Sequence, residues 1–336
     1  MFVNMRRKII FKVVLLITVL GLTLAGCAQG TTDETKLIPV KVMLDWVPNT
    51  NHTGIYVAKE KGWYEDAGLD VEIVRPPEGG TAQLIGAGQG DFGISYQEEV
   101  TYARSNNLPV VSVAAVIQHN TSGFASPKER NITSAKDFEG KKYGGWGSPV
   151  ENAVIESIMK KENADIKQVE FINIGTNDFF TLAKRGDIDF AWIYYGWTGI
   201  EAEIRDYPLN YLELRNLETE LDFYTPLIIV NETYIKENPD NIKKFLEATT
   251  KGYEFAIENP QEAAQSLLSQ EQGMDKELVE NSQEWLAAKY QEDAEQWGIQ
   301  KQAVWENYAK WMVKSGLIPE MIDVEKAFTN EFLPER

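Results

Sequence analysis

The 336 residues include 33 lysines and arginines against 51 aspartates and glutamates, a formal charge of −18, with 43% hydrophobic residues and nine tryptophans. That balance excludes nucleic acid or an anionic lipid surface as the partner of the body of the chain, and the apolar content excludes a disordered one. One cysteine, Cys27, and two histidines, His52 and His119, leave no disulfide and no His/Cys metal cluster, so neither metal nor cofactor is expected.

In chain order, Arg6, Arg7 and Lys8 form a basic start. Ile9 to Leu24 is an apolar run broken only by Lys12, Thr18, Gly21 and Thr23, and Leu24-Ala25-Gly26-Cys27 follows as a lipobox. The pattern predicts a lipoprotein signal peptide over 1–26 and lipid attachment at Cys27, which holds the protein at the extracytoplasmic face of a bacterial cell membrane. Residues 27–38 are polar and predict a flexible tether. Cleavage removes four basic residues and no acidic one, which takes the formal charge to about −22 and leaves enough chain for two lobes of roughly 150 residues.

Val42 to Leu44 predicts a buried strand, and Pro48-Asn49-Thr50-Asn51 a turn after Asp45-Trp46. Ile55, Ala58, Lys59 and Trp63 recur at helical spacing, with Gly68 placed as a C-cap, and Leu69 to Val74 alternates as a second strand. This is a βαβ unit. Beyond the Pro76-Pro77-Glu78-Gly79-Gly80 break, Thr81 to Ala87 predicts a helix, Asp91 to Ser95 a strand, Glu98 to Ser105 a helix, and Pro109 to Ile117 a β-branched strand.

Gly123 to Pro127 reads as a crossing into another lobe. There a strand feeds the glycine-rich loop Gly144-Gly145-Trp146-Gly147-Ser148-Pro149. A helix follows over Val150 to Lys161, a strand at Val169 to Ile172, a helix at Phe179 to Lys184 and a strand at Asp189 to Ile193, which ends in Tyr194-Tyr195-Gly196-Trp197. Asp222 to Val230 reads as the return crossing, and the chain beyond Pro239 is almost wholly helical. The expected architecture is α/β, two lobes joined by a two-strand hinge, with 39–125 and 226–336 in lobe I and 126–225 in lobe II.

Ligands of open α/β sheets bind beyond the carboxyl ends of the strands. Four loops lie there: Asp45–His52, Ser95–Glu99, Trp146–Ser148 and Tyr194–Trp197. Each carries aromatic side chains able to stack on a flat heteroaromatic ring. Asp45, Asn49, His52, Ser95, Glu99 and Ser148 supply hydrogen-bonding groups; Trp46, Tyr96, Trp146, Tyr194, Tyr195 and Trp197 supply rings. Strand alternation sends one of Tyr194 and Tyr195 into the cleft and the other away. Asp222 and Tyr224 lie near the hinge, in reach of the cleft or as structural groups. Trp63, Tyr64 and Trp192 read as core, and the run Glu98-Glu99 as a mostly solvated helix face. An alternative makes the glycine-rich loop an anion nest, although none of the four loops holds a lysine or arginine.

The run D-W-x-P-N-x-N-H-x-G over 45–54, followed by A-x-x-K-G-W-Y-x-x-x-G-L-D-V over 58–71, resembles the thiamine-pyrimidine branch of the periplasmic solute-binding proteins. The second motif is shared by relatives for sulfonates, nitrate and riboflavin. The resemblance spans the mature chain and implies a type II periplasmic-binding-protein fold. It also implies a monomeric, lipid-anchored receptor that binds a thiamine-related aminopyrimidine, such as formylaminopyrimidine, for thiamine salvage and hands it to an ABC-transporter permease. The alternatives are a binder of another small solute, or an enzyme similar to the fungal thiamine-pyrimidine synthase. The synthase pattern carries a cofactor lysine and a sacrificed histidine where this chain has Ser95 and Glu99, and its cysteine-rich iron motif is missing. The chain is therefore expected to bind and not to catalyse.

Overall fold

A computed structural model describes residues 36–75, 80–175 and 177–335. The expected signal peptide, the attachment site Cys27, most of the tether and the Pro76–Gly79 break lie outside the described residues. Among the described residues, no helix is long and apolar enough to cross a membrane.

The chain opens with β1 (Ile38–Met43), α1 (Thr53–Glu60) and β2 (Leu69–Val74), the expected βαβ unit, with β1 and β2 parallel from Ile38 opposite Leu69 to Met43 opposite Val74. Then follow α2 (Thr81–Gly86), β3 (Phe92–Ser95), α3 (Gln97–Ser105) and β4 (Val110–Ala115). The next strands are β5 (Ser122–Pro127), β6 (Lys142–Gly145), β7 (Glu170–Asn173), β8 (Phe190–Tyr194) and β9 (Leu209–Glu213), with α4 (Pro149–Lys161) and α5 (Phe179–Arg185) among them. The strand β10 (Leu227–Asn231) returns to the first sheet, and α6 (Pro239–Glu258), α7 (Pro260–Gln270), α8 (Lys276–Ala287) and α9 (Gln302–Lys314) complete the chain.

Two five-stranded sheets result, ordered β2-β1-β3-β10-β4 and β7-β6-β8-β5-β9. In the first, β10 runs antiparallel to β3 and β4; in the second, β5 runs antiparallel to β8 and β9. Each sheet thus receives one reversed strand, from the chain entering or returning, which makes this the bilobal type II periplasmic-binding-protein fold. The crossing differs from the sequence expectation. The strand β5 pairs along its length with β8 and β9, so a boundary at 125/126 falls inside a strand of the second sheet, and the chain crosses over 116–121 instead.

Apolar, fully buried runs make the central strands, Val-Val-Ser-Val-Ala-Ala in β4 and Leu-Ile-Ile-Val-Asn in β10. The helix α6 lays Phe245, Leu246, Thr249 and Tyr253 inward and crosses α1 so closely that a Cβ on Gly252 would stand 1.9 Å from the carbonyl oxygen of Gly54. Only glycine permits that approach. Residues 226–336 do not all belong to the first lobe. Trp305, Tyr308 and Trp311 of α9 share a core with Phe124, Phe138 and Phe190 of the second, and Trp311 Nε1 donates to Ser157 Oγ at 3.3 Å.

Candidate functional site

At the end of β1 the chain turns sharply. The side chain of Asn49 caps the short turn Thr50–His52 by accepting the Asn51 N–H at 2.9 Å, and its Nδ2 donates to the Val47 carbonyl. His52 is wholly buried. Its Nδ1 accepts the Asn49 backbone N–H at 3.2 Å, which leaves Nε2–H to donate to Asp45 Oδ1 at 2.7 Å. Tyr96 Oη donates to Asp45 Oδ2 at 2.8 Å. Burial raises the Asp45 pKa, but the bonds from His52 and Tyr96 outweigh it, and the group ends below the ordinary aspartate range. Asp45 is thus a fixed carboxylate. The phenol of Tyr96 is pushed well above its usual value, first by burial and then by the Asp45 charge. Asn49 and His52, expected at the ligand, have their polar groups engaged in holding this loop and positioning Asp45.

The end of β3 supplies a second cluster. Ser95, buried, donates from Oγ to Glu99 Oε2 at 2.6 Å. Burial raises the Glu99 pKa, with the Asp45 charge adding and the Ser95 bond opposing. Glu98, expected as a solvated face, instead turns inward. Its pKa is raised to about 7 by burial first, then by the charges of Glu99 and Glu151, against a lowering bond from Ser148. Ser148 itself caps the following helix: its Oγ accepts the Val150 N–H at 3.3 Å.

The glycine-rich loop is not an anion nest. Glu151 of α4, itself buried, accepts Tyr143 Oη at 2.6 Å, the Trp146 N–H at 3.0 Å and the Ser148 N–H at 2.7 Å. The chain's own carboxylate occupies the amides an external anion would need. Ser148 and Glu151 form a capping box around Pro149 at N1. A Cβ on Gly145 would lie 2.1 Å from Glu151 Oε1, so the glycine makes room for the carboxylate.

Tyr194 turns toward the first lobe, where burial raises its pKa and the charges of Glu98, Asp45 and Glu99 add. Tyr195 turns away: its Oη donates to Glu203 at 2.5 Å and its ring lies 4.8 Å from Tyr211 and 5.3 Å from Trp285 of α8. The chain forms a π-helical turn over Tyr195–Gly199. Trp197 does not join the site; it packs against Tyr56, Leu267 and Val279. Asp222 also stands apart from the carboxylates. It accepts His119 Nδ1 at 2.7 Å and the Asn120 N–H at 2.9 Å, tying the two crossing segments together. Trp46 and Trp146 stand 50% and 44% exposed on their loops, with the Trp146 ring 5.4 Å from that of Trp192.

The site brought together is therefore Asp45, Ser95, Tyr96, Glu98 and Glu99 from the first lobe and Ser148, Tyr194 and Glu151 from the second. Glu98 and Glu151 were missed. Signals for both exist, in the first-turn position of Glu98 after a strand and in the Ser148-x-x-Glu151 capping spacing. Among the described residues, no group of three or more His, Cys, Asp or Glu is arranged to hold a metal ion.

Residues 49–263 match the family model described as NMT1/THI5 like. The chain is 30% identical to the formylaminopyrimidine-binding protein of Halalkalibacterium halodurans, over 95% of this chain and 98% of that protein. It is 23% identical to a 4-amino-5-hydroxymethyl-2-methylpyrimidine phosphate synthase of Legionella pneumophila, over 88% and 92% of the two chains. The periplasmic aliphatic sulphonate binding protein SsuA of Escherichia coli has a similar fold, with a TM-score of 0.65 at 12% identity over 86% of this chain and 96% of that one. The resemblance read from the 45–71 motifs stands, and the chain belongs to the NMT1/THI5-like family.

Proposed function

We propose that this protein is the extracytoplasmic solute-binding component of an ABC importer and takes a thiamine-related aminopyrimidine, formylaminopyrimidine, between its lobes for thiamine salvage. The observation that carries this reading is the first-lobe cluster at the strand ends, Asp45 held by His52 and Tyr96 and Glu99 held by Ser95, within range of whose charges Tyr194 of the second lobe lies. An aminopyrimidine offers N–H donors to carboxylates and a flat face to aromatic rings, each stacked pair contributing about 0.5–1.5 kcal/mol beyond area burial. The Halalkalibacterium relative, a formylaminopyrimidine-binding protein, points the same way. A sulfonate or nitrate is disfavoured because Glu151 fills the only amide cradle proposed for it. The synthase reading is disfavoured by Ser95 bonded to Glu99 where that chemistry needs a lysine and a histidine. Lipid attachment at Cys27 and delivery to a permease complete the proposal.

The test is thermal unfolding of the chain from Ala28 onward against formylaminopyrimidine, hydroxymethyl pyrimidine, thiamine, riboflavin, taurine and nitrate. A ligand at a hundred times its dissociation constant adds about 2.7 kcal/mol to stability. A rise in melting temperature with a pyrimidine and not with the anions is expected. A rise with taurine or nitrate alone would refute the substrate class.

A further inference from the structure

The chain leaves the first sheet over 116–121 and returns through Asp222, and a third segment is bonded to the outgoing crossing. Residues 289–298, between α8 and α9, are tied to the first lobe: the Ala115 N–H donates to the Gly298 carbonyl at 2.9 Å, Trp297 Nε1 to the Val116 carbonyl at 3.1 Å and the Gln118 N–H to the Lys289 carbonyl at 3.2 Å. From this segment the neighbouring carboxylates Glu292 and Asp293 reach different partners. Glu292 pairs at 3.3 Å with Arg215, which follows β9 and also pairs with Glu213 at 2.9 Å, so the ion pair joins the lobes. Asp293 Oδ1 lies 2.9 Å from His119 Nε2, and Asp222 Oδ2 lies 2.7 Å from Nδ1 of the same ring. The backbone at Glu292 is left-handed, with a φ of 43°, a conformation that a non-glycine residue keeps only where its surroundings hold it.

Each ring nitrogen of His119 thus faces a carboxylate oxygen. An ionised carboxylate only accepts hydrogen bonds and a neutral imidazole has a single N–H, so both bonds form at once only with the imidazolium. We infer that His119 is a proton-dependent pin of the interlobe hinge: as the imidazolium it holds Asp222 of the return crossing and Asp293 of the 289–298 segment together, and so keeps Glu292 within reach of Arg215 in the second lobe. The surroundings favour that form. The His119 pKa is raised to about 9, first by the bond to Asp222, with burial opposing, then by the bond to Asp293 and the charges of Asp222 and Glu292. Lys289 lies 3.6 Å from Glu292 and Lys301 3.9 Å from Asp293. The phenol of Tyr224 nearby is raised to about 12, first by burial, and keeps its proton across this range. As pH rises through about 9 the ring loses its proton. One carboxylate then has no donor, and Asp222, Glu292 and Asp293 lose the cation among them. The pin is engaged below that pH and released above it. It touches no ligand, so it acts whatever solute the cleft takes.

Residues from Leu37 onward form one compact unit, and the experiment uses the chain from Ala28 onward, without ligand. It is 15N-labelled at its two histidines, His52 and His119, and is compared with the His119→Gln variant, which keeps an amide donor and carries no charge. The expected result is a His119 ring protonated at both nitrogens at about pH 7.5, with a titration midpoint near 9 where an unperturbed histidine has 6.5. Small-angle scattering should show the wild type expanding between about pH 8 and pH 10, and the variant already expanded at about pH 7.5 with no further change. A midpoint near 6.5, a singly protonated ring at about pH 7.5 or a wild-type radius of gyration unchanged across the midpoint overturns the inference, as does a variant as compact as the wild type. Should the variant fail to fold, the wild-type spectrum and scattering decide by themselves. No ligand enters these measurements, so the pin and the pyrimidine reading stand or fall separately.

Discussion

Replacement of Glu98 by glutamine should make the empty protein more stable and a poorer binder. The folded-state pKa of Glu98 is raised to about 7 by burial and by the charges of Glu99 and Glu151, from an ordinary value of 4.5. At 1.36 kcal/mol per unit, that separation is worth about 3 kcal/mol. The sign is that of an acid whose folded pKa is raised. Below about pH 4.5 the group is protonated in both states and costs nothing. Between about 4.5 and 7 the folded chain holds a proton that the unfolded chain has released, and stability falls as pH rises. Above 7 the fold bears the full cost of an ionised carboxylate. Glu98→Gln should therefore raise the melting temperature at pH 8 by about 5 °C, and leave it unchanged at pH 4. A ligand amino group that donates to Glu98 favours the carboxylate, so binding near pH 6.5 should release a proton. Calorimetry in buffers of different ionisation enthalpy would detect that release in wild type and its loss in the variant. Equal stabilisation at pH 4 and pH 8, or none at pH 8, would refute the electrostatic account. Stability gained at the expense of binding is the usual signature of a functional charge.

Trp46→Ala and Trp146→Ala should each weaken pyrimidine binding by at least tenfold with the fold intact, since both rings stand largely exposed on strand-end loops; unchanged affinity in both, measured by titration calorimetry, would sink the stacking model. Trp285→Ala removes the ring that meets Tyr195 across the lobes at 5.3 Å, a contact worth about 1 kcal/mol. It should weaken every ligand by about fivefold and expand the empty protein in small-angle scattering; a loss confined to one ligand would mean Trp285 touches that ligand instead.

Much of the site was legible because loops at strand ends are fixed by the alternation of strands and helices. The run from Val42 to Val74 placed Asp45 at the end of β1, and the strand through Ser95 placed Glu99 on the first turn of α3. Other features depend on partners distant in the chain. Gly123 to Pro127 has the glycine and proline of a connection, yet it is the strand between β8 and β9, because its neighbours supply the ladder. Glu98 looks like half of a solvated pair until the second lobe covers it with Ser148 and Glu151. Strand alternation was the ground for expecting Tyr194 and Tyr195 to diverge, but β8 ends at Tyr194 and Tyr195 opens a π-helical turn, so alternation does not set the direction of Tyr195. Nothing local to Trp197 or Asp222 announces that one meets Val279 and the other His119.

Those displaced residues explain how the lobes are held. Thr50 donates to Ser282 Oγ at 2.5 Å, and Ser282 in turn donates to the carbonyl oxygen of Gly196, so α8 ties the Asp45 loop to the π-helical turn of the second lobe. Tyr195 on Trp285 and Trp197 on the Tyr56 cluster extend the same seam. None of these contacts needs a ligand, and each joins the two lobes. The free energy of closure is therefore divided between the seam, which is always available, and the contacts of the bound molecule. A ligand shifts the equilibrium only by what it contributes to closed over open. A seam that is nearly sufficient lets a small, flat molecule with few polar groups complete the closure. On the aminopyrimidine proposal, the aromatic residues after Ile193 serve two ends of one equilibrium: Tyr194 faces the bound molecule, and Tyr195 and Trp197 set how much that molecule must add.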